Sequence, residues 1–192
     1  MTDATHLPYA ILCVCTGNVC RSPAAERLLA ARLGTGVTVA SAGTLGLVGR
    51  VIEPPMAAQL AALGLEDVGF TARRLTAADV SQADLVLGMT REHRAEAVEM
   101  APAAVRRAFT LLEFARLLSQ IQPDELTGTS AADRLRMAVP LAAARRQMVV
   151  GPVDADDVVD PYRLAEEVYD QSFSAIRIAV DTIADRLLPH PG

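Results

Sequence analysis

The chain reads as an α/β protein, a parallel sheet covered by helices on both faces. Two observations predict this. Short apolar runs alternate with alanine- and leucine-rich helical stretches, the order that crossover units produce. The first run, Tyr9–Cys15 (YAILCVC), is apolar at every position rather than at every second one, as in a strand buried on both faces.

The elements follow in order. Residues 9–15 form the first strand. Residues 23–33 (PAAERLLAARL) form a helix, with Pro23 suited to the first helical position and Gly34 to the C-terminal end. Val37–Ala40 is a second strand, and Ser41-Ala42-Gly43 reads as the turn after it. Pro54–Leu63 is a helix closed by Gly64. Thr76-Ala77-Ala78-Asp79 has capping-box spacing and starts a brief helix before the strand Asp84–Met89. Thr90 caps a helix over Arg91–Met100, Arg107–Leu111 is the fourth candidate strand, and a helix covers about 112–118. A long final helix, about 164–187, carries Leu164, Val168, Phe173, Ile176, Val180, Ile183 and Leu187 as one apolar stripe. Between them, residues 119–157 hold Pro123, Gly128, Pro140, Gly151 and Pro152 around an alanine- and arginine-rich piece. This stretch reads as a helical insertion on the surface, or as a lobe that selects substrates or docks a partner. The 192 residues otherwise fit one domain, 1–192.

Composition narrows the function. Apolar residues make up 51% and charged residues 21% of the chain, which suits a globular protein, and no apolar run approaches the roughly 20 residues that span a bilayer. The N-terminus shows no signal-peptide pattern, so a cytoplasmic protein without membrane insertion is expected. A net charge of −5 argues against a nucleic-acid partner and requires any anion site to be local. Cys13, Cys15 and Cys20 lie too close together for a disulfide framework, no Cys-x-x-Cys suggests zinc, and the histidines (His6, His93, His190) are scattered. No metal or cofactor is expected.

The chemistry lies in Val14-Cys15-Thr16-Gly17-Asn18-Val19-Cys20-Arg21-Ser22-Pro23, between the first strand and the first helix. A tetrahedral oxyanion needs converging donors. Amides from Thr16 to Arg21 on a tight loop supply them without net charge, and the helix N-terminus adds its positive dipole end. Gly17 and Asn18 are residue types that tolerate left-handed backbone. The Arg21 guanidinium can hold two oxygens at once. The same donors favour a thiolate at Cys15, a nucleophile able to attack phosphorus, and a Ser22 hydroxyl can donate to that sulfur. No histidine stands near in sequence, so a Cys–His protease arrangement is not supported. Departure of an alcohol or phenol calls for an acid. Asp160, in Asp160-Pro161-Tyr162 just before the last helix, is the best candidate, with Asp156 or Asp157 as the fallback. Negative neighbours at Asp154, Asp156 and Asp157 would help keep it protonated.

Cys15-x5-Arg21-Ser22-Pro23, Ser41-Ala42-Gly43 and Asp160-Pro161-Tyr162 together resemble the low-molecular-weight protein-tyrosine phosphatases, over roughly residues 9–118 and 158–187. The resemblance implies a three-layer fold with a four-stranded parallel sheet and no metal. It implies Cys15 as nucleophile, Arg21 as phosphate ligand and Asp160 as general acid, then base. Thr16, Gly17, Asn18, Val19, Cys20, Ser22 and Ser41 would bind phosphate or brace the loop, and Tyr162 and Leu47 would wall the substrate. The substrate would be a phosphorylated protein, with a bacterial tyrosine kinase as one candidate partner.

The chain departs from the family in four places. Arg163 stands where a second aromatic often follows, Thr44–Arg50 carries leucines where many members have an aromatic, and Phe70 replaces a bracing histidine of some members. The first two look like bacterial members that act on tyrosine kinases of polysaccharide export. The insertion after Leu118 is also untypical. Cys20 is either packing or a partner that guards Cys15 from overoxidation, and Cys13 reads as core.

Protein-arginine phosphatases share local likeness at Cys15–Asn18 and Asp84–Thr90, but threonine replaces Val19 in them, and valine's methyl groups suit an aromatic ring better than a guanidinium. An arsenate reductase would need cysteines beyond Cys20, and none follow. A non-catalytic phospho-reader is disfavoured because every catalytic residue type is present.

Overall fold

The computed structural model describes residues 8–65, 69–146 and 155–188. The expectations that concern the N-terminal seven residues, His190 and Asp154 lie outside these stretches, as does part of the 119–157 segment. Four strands, β1 (Tyr9–Cys15), β2 (Val37–Gly43), β3 (Leu85–Gly88) and β4 (Ala108–Thr110), form one parallel sheet in the order β2-β1-β3-β4. The helices are α1 (Arg21–Leu33), α2 (Pro54–Ala61), α3 (Ala77–Gln82), α4 (Arg91–Met100), α5 (Leu111–Ser119), α6 (Ala131–Arg145) and α7 (Glu166–Leu187).

The unbroken apolar run of β1 has the expected cause. Successive side chains point to opposite faces of a strand. Ile11, Cys13 and Cys15 enter the larger core, with α1, α5, α6 and α7, while Leu12 and Val14 enter a smaller core under α3 and α4. In β3, Leu85 and Leu87 join the first core and Val86 the second.

Three expectations change. β2 does not stop at Ala40. Ser41, Ala42 and Gly43 continue it, pairing with Cys13, Val14 and Cys15, because β1 offers a parallel partner along all seven residues. Leu164 is not on the stripe of α7. It is 56% exposed in the turn before that helix, where its amide donates to Pro161 O (2.9 Å). The segment after Leu118 also does more than cover the surface. Ser130 caps α6, and Leu135, Ala138, Val139 and Ala142 are buried in the larger core, with Pro140 on the exposed side. Arg145 pairs with Glu125, and Arg146 with Glu113 of α5.

The sheet order fixes where a ligand can sit. From β1 the chain moves outward to β2, then returns across β1 to β3 on its other side. The crevice beyond the C-terminal ends of β1 and β3 is therefore a topological switch point, the usual binding place in open parallel sheets. Residues 16–20 occupy it.

Candidate active site

The loop from Cys15 to Arg21 is held from outside. Cys15 O, Thr16 O and Gly17 O accept from the amides of Thr44, Leu45 and Leu47 (2.9, 3.0 and 2.9 Å), and Val19 O accepts from Glu53 N (2.8 Å). In a trans peptide the N–H points opposite to the C=O. Four outward carbonyls therefore turn the amides of Thr16, Gly17, Asn18 and Cys20 inward. The Asn18 amide is seen to do this, donating to Cys15 Sγ at 3.3 Å. Gly43 leaves room for this packing, because a Cβ there would lie 2.4 Å from Thr16 O.

Asn18 carries the conformational demand, at φ 56°. Gly17 is not left-handed, contrary to expectation, and a Cβ there would only rest on Val19 and Leu47 at 3.4–3.6 Å. Asn18 is wholly buried, and its side chain sets the polarity of a network. Its Oδ1 accepts from Arg73 N (2.9 Å), so Nδ2 donates to both Ser22 Oγ (3.0 Å) and Ser41 Oγ (2.8 Å). Ser41 donates onward to Glu26 Oε2 at 2.5 Å. Ser22 already accepts from Asn18, so its own proton is free for Cys15 Sγ, 3.0 Å away. Two donors thus converge on the sulfur. Burial instead pushes the Cys20 thiol up to about 12, and the Cys13 thiol is also driven up by burial.

Arg21 is 4% exposed. Its guanidinium pairs with Asp160 (2.6 Å) and donates to Val158 O (3.3 Å). Asp160 accepts from Tyr162 N at 3.2 Å, a turn that Pro161 stiffens. The fallback acids are committed elsewhere. Asp156 pairs with Arg116 (2.8 Å) and Asp157 with Arg91 (3.1 Å). Burial works against the charge on Asp157, but hydrogen bonds from Arg91 outweigh it and hold the carboxyl below its ordinary value. Asp160 is the only carboxylate among the residues lining the cup.

The cup is a cavity of about 230 Å³ lined by Cys15, Thr16, Gly17, Val19, Cys20, Arg21, Leu45, Leu47, Asp160 and Tyr162. Among the predicted site residues, Asn18, Ser22 and Ser41 lie behind it and brace the loop. Three participants are absent from the sequence reading. Glu26 lies four residues after Ser22, on the same face of α1, and that spacing is a legible signal. Leu45 lines the mouth. His93, one of the scattered histidines, reaches the loop after all. Its Nε2 meets Thr16 Oγ1 (2.9 Å) and its Nδ1 meets Thr90 Oγ1 (2.8 Å), but it does not touch Cys15. Only the sheet order, which puts the loop after β3 beside the loop after β1, reveals it. Among the described residues no three His, Cys, Asp or Glu side chains converge as a metal site requires, and no helix is long and apolar enough to cross a membrane.

Burial first, and the nearby Arg21 charge second, lower His93 from 6.5 to about 4. Between those values the unfolded chain binds a proton that the fold rejects. Stability therefore rises with pH across this window and is lost as pH falls from about 6.5 toward 4. Thermal melts should show a Tm lower by several degrees at pH 4.5 than at pH 7. His93→Gln should flatten part of that slope, and an identical slope in the variant would count against this origin.

A set of inward amides, a buried guanidinium, a sulfur that meets two donors and a carboxylate on the cup wall can bind a tetrahedral dianion, attack it in line and protonate what leaves. The chain is similar to known proteins over most of its length. The model of the family "Low molecular weight phosphotyrosine protein phosphatase" matches residues 10–124. The low molecular weight protein-tyrosine-phosphatase Etp of Escherichia coli K12 is 46% identical over 93 residues, 48% of this chain and 62% of Etp, so the match spans less than two thirds of that relative. A protein-arginine-phosphatase of Geobacillus stearothermophilus is 29% identical over 181 residues, 94% of this chain and 97% of that protein. Among solved structures, the YwlE arginine phosphatase from Geobacillus stearothermophilus superposes with a TM-score of 0.69 at 28% identity, covering 94% of this chain and 93% of that one. The tyrosine phosphatase Wzb from Escherichia coli K30, in complex with sulphate, gives 0.67 at 25% identity, covering 93% and 97%.

Proposed function

Since this chain belongs to the low molecular weight phosphotyrosine protein phosphatase family, we propose that it hydrolyses phosphotyrosine in proteins through a cysteinyl-phosphate intermediate. The observation that carries the reading is the pair of donors on Cys15 Sγ at the floor of a cup whose only lining carboxylate is Asp160. The phosphoryl dianion settles on the inward amides and takes Arg21 from Asp160; the freed carboxylate, now beside a dianion, takes up a proton from solvent and faces the leaving oxygen. Cys15 attacks phosphorus as Asp160 gives its proton to the departing phenolate. Water then attacks the cysteinyl-phosphate with Asp160 as base, and the sulfur leaves as a thiolate held by Ser22 Oγ and Asn18 N. Leu45, Leu47, Val19 and Tyr162 offer apolar walls to an aromatic ring. Three free, buried cysteines suit a reducing, cytoplasmic setting. A phosphorylated protein is the partner, with a bacterial tyrosine kinase as one candidate. The residues 1–192 act as one phosphatase unit, with α6 packed into its core.

The arginine phosphatase reading has one specific support, the relative aligned over 94% of this chain. Val19 weighs against it, because its methyl groups give a guanidinium no hydrogen-bond partner. Turnover of a phosphotyrosine peptide and a phosphoarginine peptide should differ in favour of tyrosine. Val19→Thr should shift the ratio of kcat/KM toward phosphoarginine by about tenfold, the scale of one well-placed polar contact. Faster release from phosphoarginine by the unaltered protein would reverse the assignment.

A further inference from the structure

The rim of the cup is unusually apolar for a surface. Of the ten large hydrophobic side chains that stand exposed among the described residues, five belong to the two segments flanking the mouth. Leu45, Val48 and Val51 lie on the loop after β2, and Val159 and Leu164 lie on either side of Asp160, all between 38% and 71% exposed. Scattered exposed hydrophobics need no explanation, but a concentration at one opening does. The rim is continuous with the cavity, since Leu45 lines both.

From this continuity we infer that the rim is a docking surface for the substrate polypeptide, and that it selects branched aliphatic residues beside the phosphorylated one. The inference rests on the phosphatase reading above and deepens it. A phosphoresidue whose phosphate reaches Cys15 brings its own backbone to the mouth. An extended chain advances about 3.3 Å per residue, so the two or three residues on each side must lie across the rim. The rim's chemistry then decides which neighbours are welcome. Leu45, Val48, Val51, Val159 and Leu164 gain from covering apolar side chains, whereas a carboxylate laid on them loses water without gaining a partner. On the two rim segments themselves Arg50 pairs with Glu53 (3.4 Å) and Arg163 lies over the Tyr162 ring (5.0 Å), while Arg74 stands exposed beside the first segment.

The test compares two phosphotyrosine peptides, one flanked by valine and leucine and one by aspartate and glutamate, with para-nitrophenyl phosphate as a small ester confined to the cavity, whose lining does not include Val48, Val51 or Leu164. The protein should turn over the aliphatic peptide with kcat/KM about tenfold above the acidic one. The triple variant Val48→Ser, Val51→Ser, Leu164→Ser changes only exposed residues outside the cavity lining. It should erase that preference and leave turnover of the small ester unchanged. Equal or faster turnover of the acidic peptide by the unaltered protein would overturn the inference while leaving the phosphatase reading intact, as would a preference that survives in the variant. Binding to anionic lipid vesicles that the variant loses, without peptide preference, would reassign the rim to a membrane surface and overturn it too. Failure to hydrolyse the small ester and both peptides would remove the phosphatase reading and this inference with it.

Discussion

Cys15→Ser should abolish turnover of aryl phosphates, by about 10⁴-fold or more, the scale seen when a covalent nucleophile is removed. The physical reason is the difference between the two nucleophiles. The donors around Cys15 Sγ, Asn18 N at 3.3 Å and Ser22 Oγ at 3.0 Å, can stabilise a sulfur anion. A serine hydroxyl in the same position keeps its proton and has no base within reach, because His93 is bonded to Thr16 and Thr90 instead. The anion cradle does not depend on the sulfur. Its amides are aimed by carbonyls fixed to Thr44, Leu45, Leu47 and Glu53. The variant should therefore still bind phosphate or vanadate, measurable by calorimetry, with affinity close to that of the unaltered protein. Retained turnover would remove the covalent mechanism. Loss of oxyanion binding together with activity would show instead that the cradle itself had collapsed.

Asp160→Asn should cost about 10²- to 10⁴-fold in kcat, the usual worth of a positioned general acid. The size of the loss should depend on the leaving group. Para-nitrophenolate departs readily without a proton, whereas phenolate, with a pKa near 10 like that of tyrosine, needs one. The variant should lose far more on phenyl phosphate than on para-nitrophenyl phosphate, and equal losses would place Asp160 in a binding rather than a proton-transfer role. Binding of phosphate by the variant should hold or tighten. Asp160 pairs with Arg21 at 2.6 Å, and an incoming dianion must displace that contact. Asp156 and Asp157 cannot take over, because Arg116 and Arg91 hold them.

The sequence alone carried the local part of this protein. β1 was legible because a strand buried on both faces must be apolar throughout, and α1 because proline is at home in a helix's first turn, although the helix begins at Arg21, two residues ahead of the expected start at Pro23. Cys15, Arg21 and the amides between them were legible because seven consecutive residues build that cradle, with no need of help from a distant segment to be recognised. Tertiary structure decided whatever depends on which distant segments meet. The length of β2 follows from its partner β1, and the burial of α6 from α5 and α7. That Asp160 lines the cup while Asp156 and Asp157 pair with Arg116 and Arg91 is likewise a matter of which segments meet. His93 joins the site because β3 packs beside β1, and Glu26 joins it through Ser41, fifteen residues away in the chain. Hydrogen bonds and ion pairs of this kind act over about 3 Å in space, whereas chain separation says little about that distance until the sheet order is known.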